Sequence, residues 1–113
     1  MLERANRVTR PSEFRDAVRR GRRMPSGSAI VHVLDRVSSE PSRFGFIVTK
    51  AVGNAVTRNL IRRRLRSISR EILPGIGLGR DIVIRALPGS PEVAWDTLQE
   101  EITKSIGGGV GTR

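Results

Sequence analysis

The sequence has no cysteine and one histidine, His32. Disulfides and thiolate metal sites are therefore excluded, and the lone imidazole lacks the partners of a hydrolytic triad. Aromatic side chains are few: three Phe, one Trp and no Tyr. No stretch approaches the roughly 20 apolar residues of a membrane-spanning helix. The opening residues, MLERANRVTR, interleave charged and apolar groups and lack the apolar run of a signal peptide. These absences lead us to expect a soluble, cytoplasmic protein with no membrane partner. The most informative scarcity is of negative charge. Between Arg43 and Arg70 there is no acidic residue.

What is present is a basic chain of 113 residues, 37% hydrophobic, the size of one domain with a modest core. The net charge is +10 and the pI about 11.8. Of the 21 basic residues, all but Lys50 and Lys104 are Arg, whose planar fork suits phosphate and stacks on bases. Residues 1–70 hold 17 basic and 5 acidic side chains, a balance of +12; residues 71–113 hold 4 and 6, a balance of −2. A polyanion partner follows from this polarity. The alternative, an Arg-rich surface produced by genome composition, does not account for so long a window free of carboxylates.

The coarse pattern predicts a helix over residues 12–20, with Ser12 as N-cap and Gly21 as the stop. A strand is predicted over 29–34 and another over 44–49. A long helix then runs from a cap at Asn54 to about Ile72, before the Pro74–Gly79 loop. A third strand covers 81–86. Ser90–Pro91 is predicted to open a last helix with an apolar stripe of Trp95, Leu98, Ile102 and Ile106. Trp95 reads as core rather than a base platform. The order αββαβα implies an α+β fold, a small central sheet with packed helices, in which the strands flanking the long helix run parallel. Residues 1–106 read as one domain, and 107–113, GGGVGTR, as a disordered tail.

The long helix carries most of the information. At about 100° per residue, Ile61, Leu65, Ile68 and Ile72 share one face and must pack on the sheet. Arg58, Asn59, Arg62, Arg63, Arg66 and Arg70 share a broad adjoining face. Like charges at i,i+4 repel by a few tenths of a kcal/mol per pair, and no acid relieves them before Glu71. A solvated face would mix signs; a one-sign stripe makes sense against phosphate. Asn59 lowers helix propensity, and its amide could bridge phosphate, a base edge or water, or be neutral surface. Gly53–Asn54 reads as a turn and cap. The G-x-x-x-x-G-K-[ST] pattern of a nucleoside triphosphate site is absent.

The window Lys50 to Arg66, with Gly53-Asn54-Ala55-Val56, Arg58-Asn59, Arg62-Arg63 and Arg66, resembles the signature helix of the bacterial ribonuclease P protein family. Asn6-Arg7, Ser12-Glu13-Phe14, Phe44 to Lys50 and Asp81 to Pro88 resemble its flanking segments, so the likeness covers about residues 4–106. It implies the order αββ(β)αβα with a left-handed βαβ crossover, against the usual right-handed rule, in a fold shared with a domain of a ribosomal protein. It implies that Lys50, Arg58, Asn59, Arg62, Arg63, Arg66 and Arg70 contact a catalytic RNA subunit. It further implies that Phe14, Val18 and His32 line a cleft for the 5′ leader of precursor tRNA. Phe14 could equally be core, and His32 a half-buried structural residue. The sequence departs from the family pattern at Ala51, at Leu60 (often Arg) and at Arg64, an extra charge pointing away from the stripe. Val18 and His32 stand where some relatives carry aromatics.

The resemblance also implies a division of labour. Catalysis would belong to the RNA subunit and its Mg²⁺, with no catalytic residue, metal ligand or bound cofactor in the protein. The protein would assist endonucleolytic removal of the leader, as one protein per RNA, by screening RNA repulsion and by gripping the leader. The competing readings are a ribosomal or RNA-chaperone protein of related fold, or a DNA-binding module. The second lacks the base-reading helix end and dimer seam such modules use.

Overall fold

The computed structural model describes residues 2–36 and 39–109. It contains α1 (Pro11–Arg20), β1 (Arg22–Pro25), β2 (Ala29–Asp35), β3 (Arg43–Ile47), α2 (Ala55–Ile72), β4 (Arg80–Ala86) and α3 (Trp95–Gly109), with short 3-10 turns at Arg4–Asn6, Leu73–Gly75 and Ser90–Glu92. The four strands form one mixed sheet in the order β1-β2-β4-β3. Strand β2 is antiparallel to β1 and β4, and β3 is parallel to β4. The parallel pair expected to flank the long helix is therefore present.

Side-chain alternation sorts the sheet into two faces. Val31, Val33, Phe44, Ile82 and Ile84 point to one face, where Ile61, Leu65 and Ile68 of α2 and Leu98, Ile102 and Ile106 of α3 close the core. Trp95 packs against that core, partly buried, as its stripe predicted. Gly45 points to the opposite face, and a Cβ there would lie 2.6 Å from the Phe14 ring. Helix α1 thus covers the second face, and its Ala17 is fully buried. The N-terminal segment runs beside β3, through a parallel bridge between Arg7 and Phe44.

Several boundaries differ from the sequence reading for local reasons. Helix α1 begins at Pro11 with Arg10 as its cap residue, not Ser12. Proline's fixed φ suits the first helical position, and the Glu13 carboxylate reaches back to accept from the Arg10 N–H at 3.1 Å. Gly21 ends the helix with φ −77, so it is not a left-handed stop. Its missing side chain matters because a Cβ would sit 2.4 Å from the Ala17 carbonyl oxygen and 2.9 Å from that of Val33. Strand β1 is absent from the apolar pattern, because Arg22-Arg23-Met24-Pro25 has no alternation; its pairing with β2 makes it a strand. Strand β3 stops at Ile47, two residues early, ahead of the Lys50–Gly53 turn. Ser90–Pro91 open only a 3-10 turn, and α3 starts at Trp95. That helix continues through Gly109, and residues 110–113 of the expected tail lie outside the described residues. Asn54 caps α2 as predicted, its Oδ1 accepting from the Thr57 N–H at 2.9 Å.

A charged network ties α1 to the sheet. Asp81, with a side chain 3% exposed, accepts from Arg43 Nε at 2.9 Å and Nη2 at 2.8 Å. Arg36 Nε lies 3.0 Å from the same carboxylate. The third Arg43 nitrogen, Nη1, reaches Glu13 of α1 at 2.8 Å. Asp35 bridges Arg22 and Arg80 at 3.0 and 2.9 Å. The hydrogen bonds to Asp81 and Glu13 raise the Arg43 pKa despite partial burial. Burial alone would raise the pKa of Glu13, but donors from Arg10, Arg43 and Thr9 outweigh it and hold the group below its ordinary value. Asp35 behaves likewise, with Arg22 and Arg80 outweighing burial.

Depressed folded-state pKa values mean stabilisation that is present above the unfolded carboxylate range and is lost as pH falls through the folded values. Thermal stability should therefore decline as the pH drops from about 5 to about 3, and Glu13→Gln should shallow that decline. Asp81→Asn leaves Arg43 and Arg36 without their shared counter-charge. It should lower unfolding free energy by about 3 kcal/mol in urea titration.

Candidate nucleic-acid interface

Burial of Ile61, Leu65 and Ile68 sets the rotation of α2, and the cap at Asn54 sets its start. The charged residues then have fixed directions. Asn59, Arg63 and Arg70 are exposed on the outer side, and Lys50 is exposed in the turn before the helix. Arg58, Arg62 and Arg66 are partly buried along the flank facing the N-terminal segment. Among the described residues, none of these cations forms an ion pair, whereas Arg22, Arg36, Arg43 and Arg80 are all paired with carboxylates. The sequence window without acids thus becomes a surface without counter-charge.

Asn59 has an identifiable task. Its Oδ1 accepts from Arg62 Nη1 at 3.1 Å, and Arg62 Nη2 also reaches the Val48 carbonyl at 3.4 Å. These bonds hold the guanidinium toward a groove of about 160 Å³. Arg7, Phe14, Phe46, Arg62 and Arg66 line it, over a floor that includes Phe44 and Gly45. Arg7 is itself held by the Leu2 carbonyl, at 2.9 Å from Nη2 and 3.2 Å from Nε. Phe14 reaches the groove because Gly45 has no side chain in the ring's way. The groove therefore offers apolar and aromatic surface rimmed by three guanidinium groups. That combination accepts a base or sugar together with its phosphates.

The structure brings Phe14 together with Arg62 and Arg66, which the sequence placed in two separate sites. Val18, one turn after Phe14, is partly buried and lies outside the groove lining. His32 is also outside it. Alternation puts His32 on the α1 face, and register places Arg23 opposite it and Arg85 opposite neighbouring Ile30. The ring is 4% exposed, so it presents no open face for stacking, and the structural reading of His32 fits better than base stacking. Burial, then the charges of Arg23 and Arg85, push its pKa below the ordinary value, and Nδ1 has no hydrogen-bond partner. Sequence reasoning missed Arg7, Phe46, Arg23 and Arg85. Only the register between strands reveals the last two, although Arg7 stood in the segment quoted for its resemblance. Arg64 does point away from the stripe, its guanidinium 5.9 Å from the Trp95 ring centre.

Comparison with known proteins identifies the family. The family model described as Ribonuclease P matches residues 2–108. The chain belongs to the ribonuclease P protein family. It is 53% identical to the ribonuclease P protein component of Clavibacter michiganensis, over 94% of each chain. Its identity to that of Pseudarthrobacter chlorophenolicus is 44%, over 94% of this chain and 78% of the relative. Among solved structures, a mutant Staphylococcus aureus RNase P protein superposes with a TM-score of 0.82 at 24% identity, covering 90% of this chain and 86% of that one. The RNase P protein from Thermotoga maritima gives 0.76 at 24% identity, covering 87% and 92%. These likenesses fix the fold: α+β, with a mixed four-stranded sheet and three helices.

Arg62→Ala and Arg66→Ala should each weaken RNA binding and reduce the slope of log affinity against log salt by about 1. Arg64→Ala should instead leave the slope nearly unchanged and lower stability by about 0.5–1 kcal/mol through the lost contact with Trp95. Fluorescence-anisotropy titrations at several salt concentrations, with thermal melts, separate the two outcomes.

Proposed function

We propose that this chain is the protein subunit of a bacterial ribonuclease P, bound one to one to a catalytic RNA and acting with it on precursor tRNA in the cytoplasm. The observation that carries this reading is the groove where Arg62 and Arg66 meet Phe14 and Phe46, on a helix with no ion pair among the described residues, in a chain of this family. Lys50, Arg58, Asn59, Arg62, Arg63, Arg66 and Arg70 meet the RNA subunit, screening repulsion between phosphates. Phe14 and the α1 face, with Val18, receive the single-stranded leader, whose bases are unstacked and reachable, while buried His32 supports the sheet beneath them. Endonucleolytic removal of the leader belongs to the RNA with its Mg²⁺. The protein contributes charge and positioning.

The test is cleavage of 5′-labelled precursor tRNA at low Mg²⁺ by the catalytic RNA alone, the protein alone and the two together. Only the mixture should cut at the mature 5′ end. Phe14→Ala should reduce the preference for leader-bearing over leaderless tRNA by about tenfold, the loss of one base contact. A protein that binds RNA tightly yet adds nothing to cleavage would replace this reading with a ribosomal or chaperone role.

A further inference from the structure

Among the described residues, the exposed large hydrophobics are Val56, Leu60 and Leu78, at 77%, 39% and 60%. Isolated exposed aliphatics are ordinary. Val56 and Leu60, however, are one turn apart on α2 and form a ridge. Around the helix axis they fall between Arg63 and Arg64, on the flank opposite Arg58, Arg62 and Arg66. The ridge is confined to the N-terminal half of the helix. Further along the same flank stand Ser67, exposed, and Glu71, which accepts a hydrogen bond from Gln99 of α3. Arg64 is drawn aside onto Trp95, which leaves Leu60 uncovered.

Charge identifies the occupant. A second copy of this chain docking ridge to ridge would bring Arg63, Arg64 and their neighbours against their own kind, with no carboxylate on that half of the helix to compensate. An RNA supplies the missing negative charge around the ridge. A plain duplex groove presents phosphates, hydroxyls and base edges, none of which rewards two aliphatic side chains. An unpaired nucleotide does, because its base face or sugar is apolar and open. We infer that Val56 and Leu60 form an apolar contact for an unpaired nucleotide of the RNA subunit, flanked by Arg63 and Arg64. This extends the functional reading above and rests on it. Helix α2 then meets RNA on both flanks: phosphates along Arg58, Arg62 and Arg66, and an open base or sugar across Val56 and Leu60. An apolar contact of this kind adds affinity that salt does not screen, unlike the arginines.

The experiment compares the wild-type chain with V56S/L60S, and with Arg63→Ala as a charge control. Both ridge positions are exposed, so the fold should be retained, with an unchanged melting curve. Binding to the catalytic RNA is measured across a salt series, beside a plain RNA duplex of similar length. The expected result for V56S/L60S is an affinity loss of about tenfold on the catalytic RNA, with the salt slope unchanged and duplex binding unaffected. Arg63→Ala should lower the slope instead. Equal binding by wild type and V56S/L60S overturns the inference and leaves the functional reading standing. An equal loss on the duplex overturns the unpaired nucleotide as occupant. A wild-type dimer in sedimentation that V56S/L60S dissolves assigns the ridge to self-association instead. Failure of the wild-type chain to bind the catalytic RNA at all overturns both readings together.

Discussion

Burial of Ile61, Leu65 and Ile68 beneath α2 is the constraint on which the surface chemistry depends. A helix with three side chains locked into a core has one rotation. Turning it by even one residue position would bury an arginine and expose a leucine or isoleucine, at a cost of several kcal/mol. The same packing that stabilises the fold therefore aims Arg62 and Arg66 at the groove and leaves Asn59 and Arg63 exposed. Removing methylene groups beneath the helix would loosen the interface without touching a single charge.

Two groups of arginines differ in what surrounds them. Arg22, Arg36, Arg43 and Arg80 are consumed by Asp35, Asp81, Glu13 and Glu40 at one end of the sheet, where they bind strands to one another and to α1. Those on α2 make no ion pair among the described residues. Structural ion pairs thus use most of the acids in the first half of the chain, and the six arginines of α2 are left without a carboxylate partner among the described residues. A polyanion meeting that helix displaces counterions rather than breaking internal salt bridges, so binding does not tax the fold.

Much of this was legible in the sequence where the determining signal is local. The Asn54 cap, the 3.6-residue period of α2, the acid-free window and the βαβ order need only neighbours along the chain, and each matched the structure. What depends on contacts between distant segments was not legible. Strand β1 exists because Arg22 to Pro25 pair with β2, not because of their own pattern. Gly21 was read as the helix stop from its type and position, whereas a glycine is required there because the carbonyls of Ala17 and of distant Val33 press against it. Phe14 and Arg62 lie far apart in sequence, and only the missing side chain of Gly45 and the seat of α1 bring them to one groove. His32 stood open between a cleft residue and a structural one, and its burial depends on segments distant in sequence.

The central claim is that α2, and not α3, lies against the RNA. Because the chain has no cysteine, a single introduced thiol carries one probe at one place. An iron chelate tethered at Ser67→Cys on α2, and separately at Thr103→Cys on α3, would generate hydroxyl radicals beside the bound catalytic RNA. Both positions are exposed. The account predicts focused strand scission from the α2 probe and little from the α3 probe. Scission from Thr103→Cys with none from Ser67→Cys would contradict it, and would move the interface from α2 to α3.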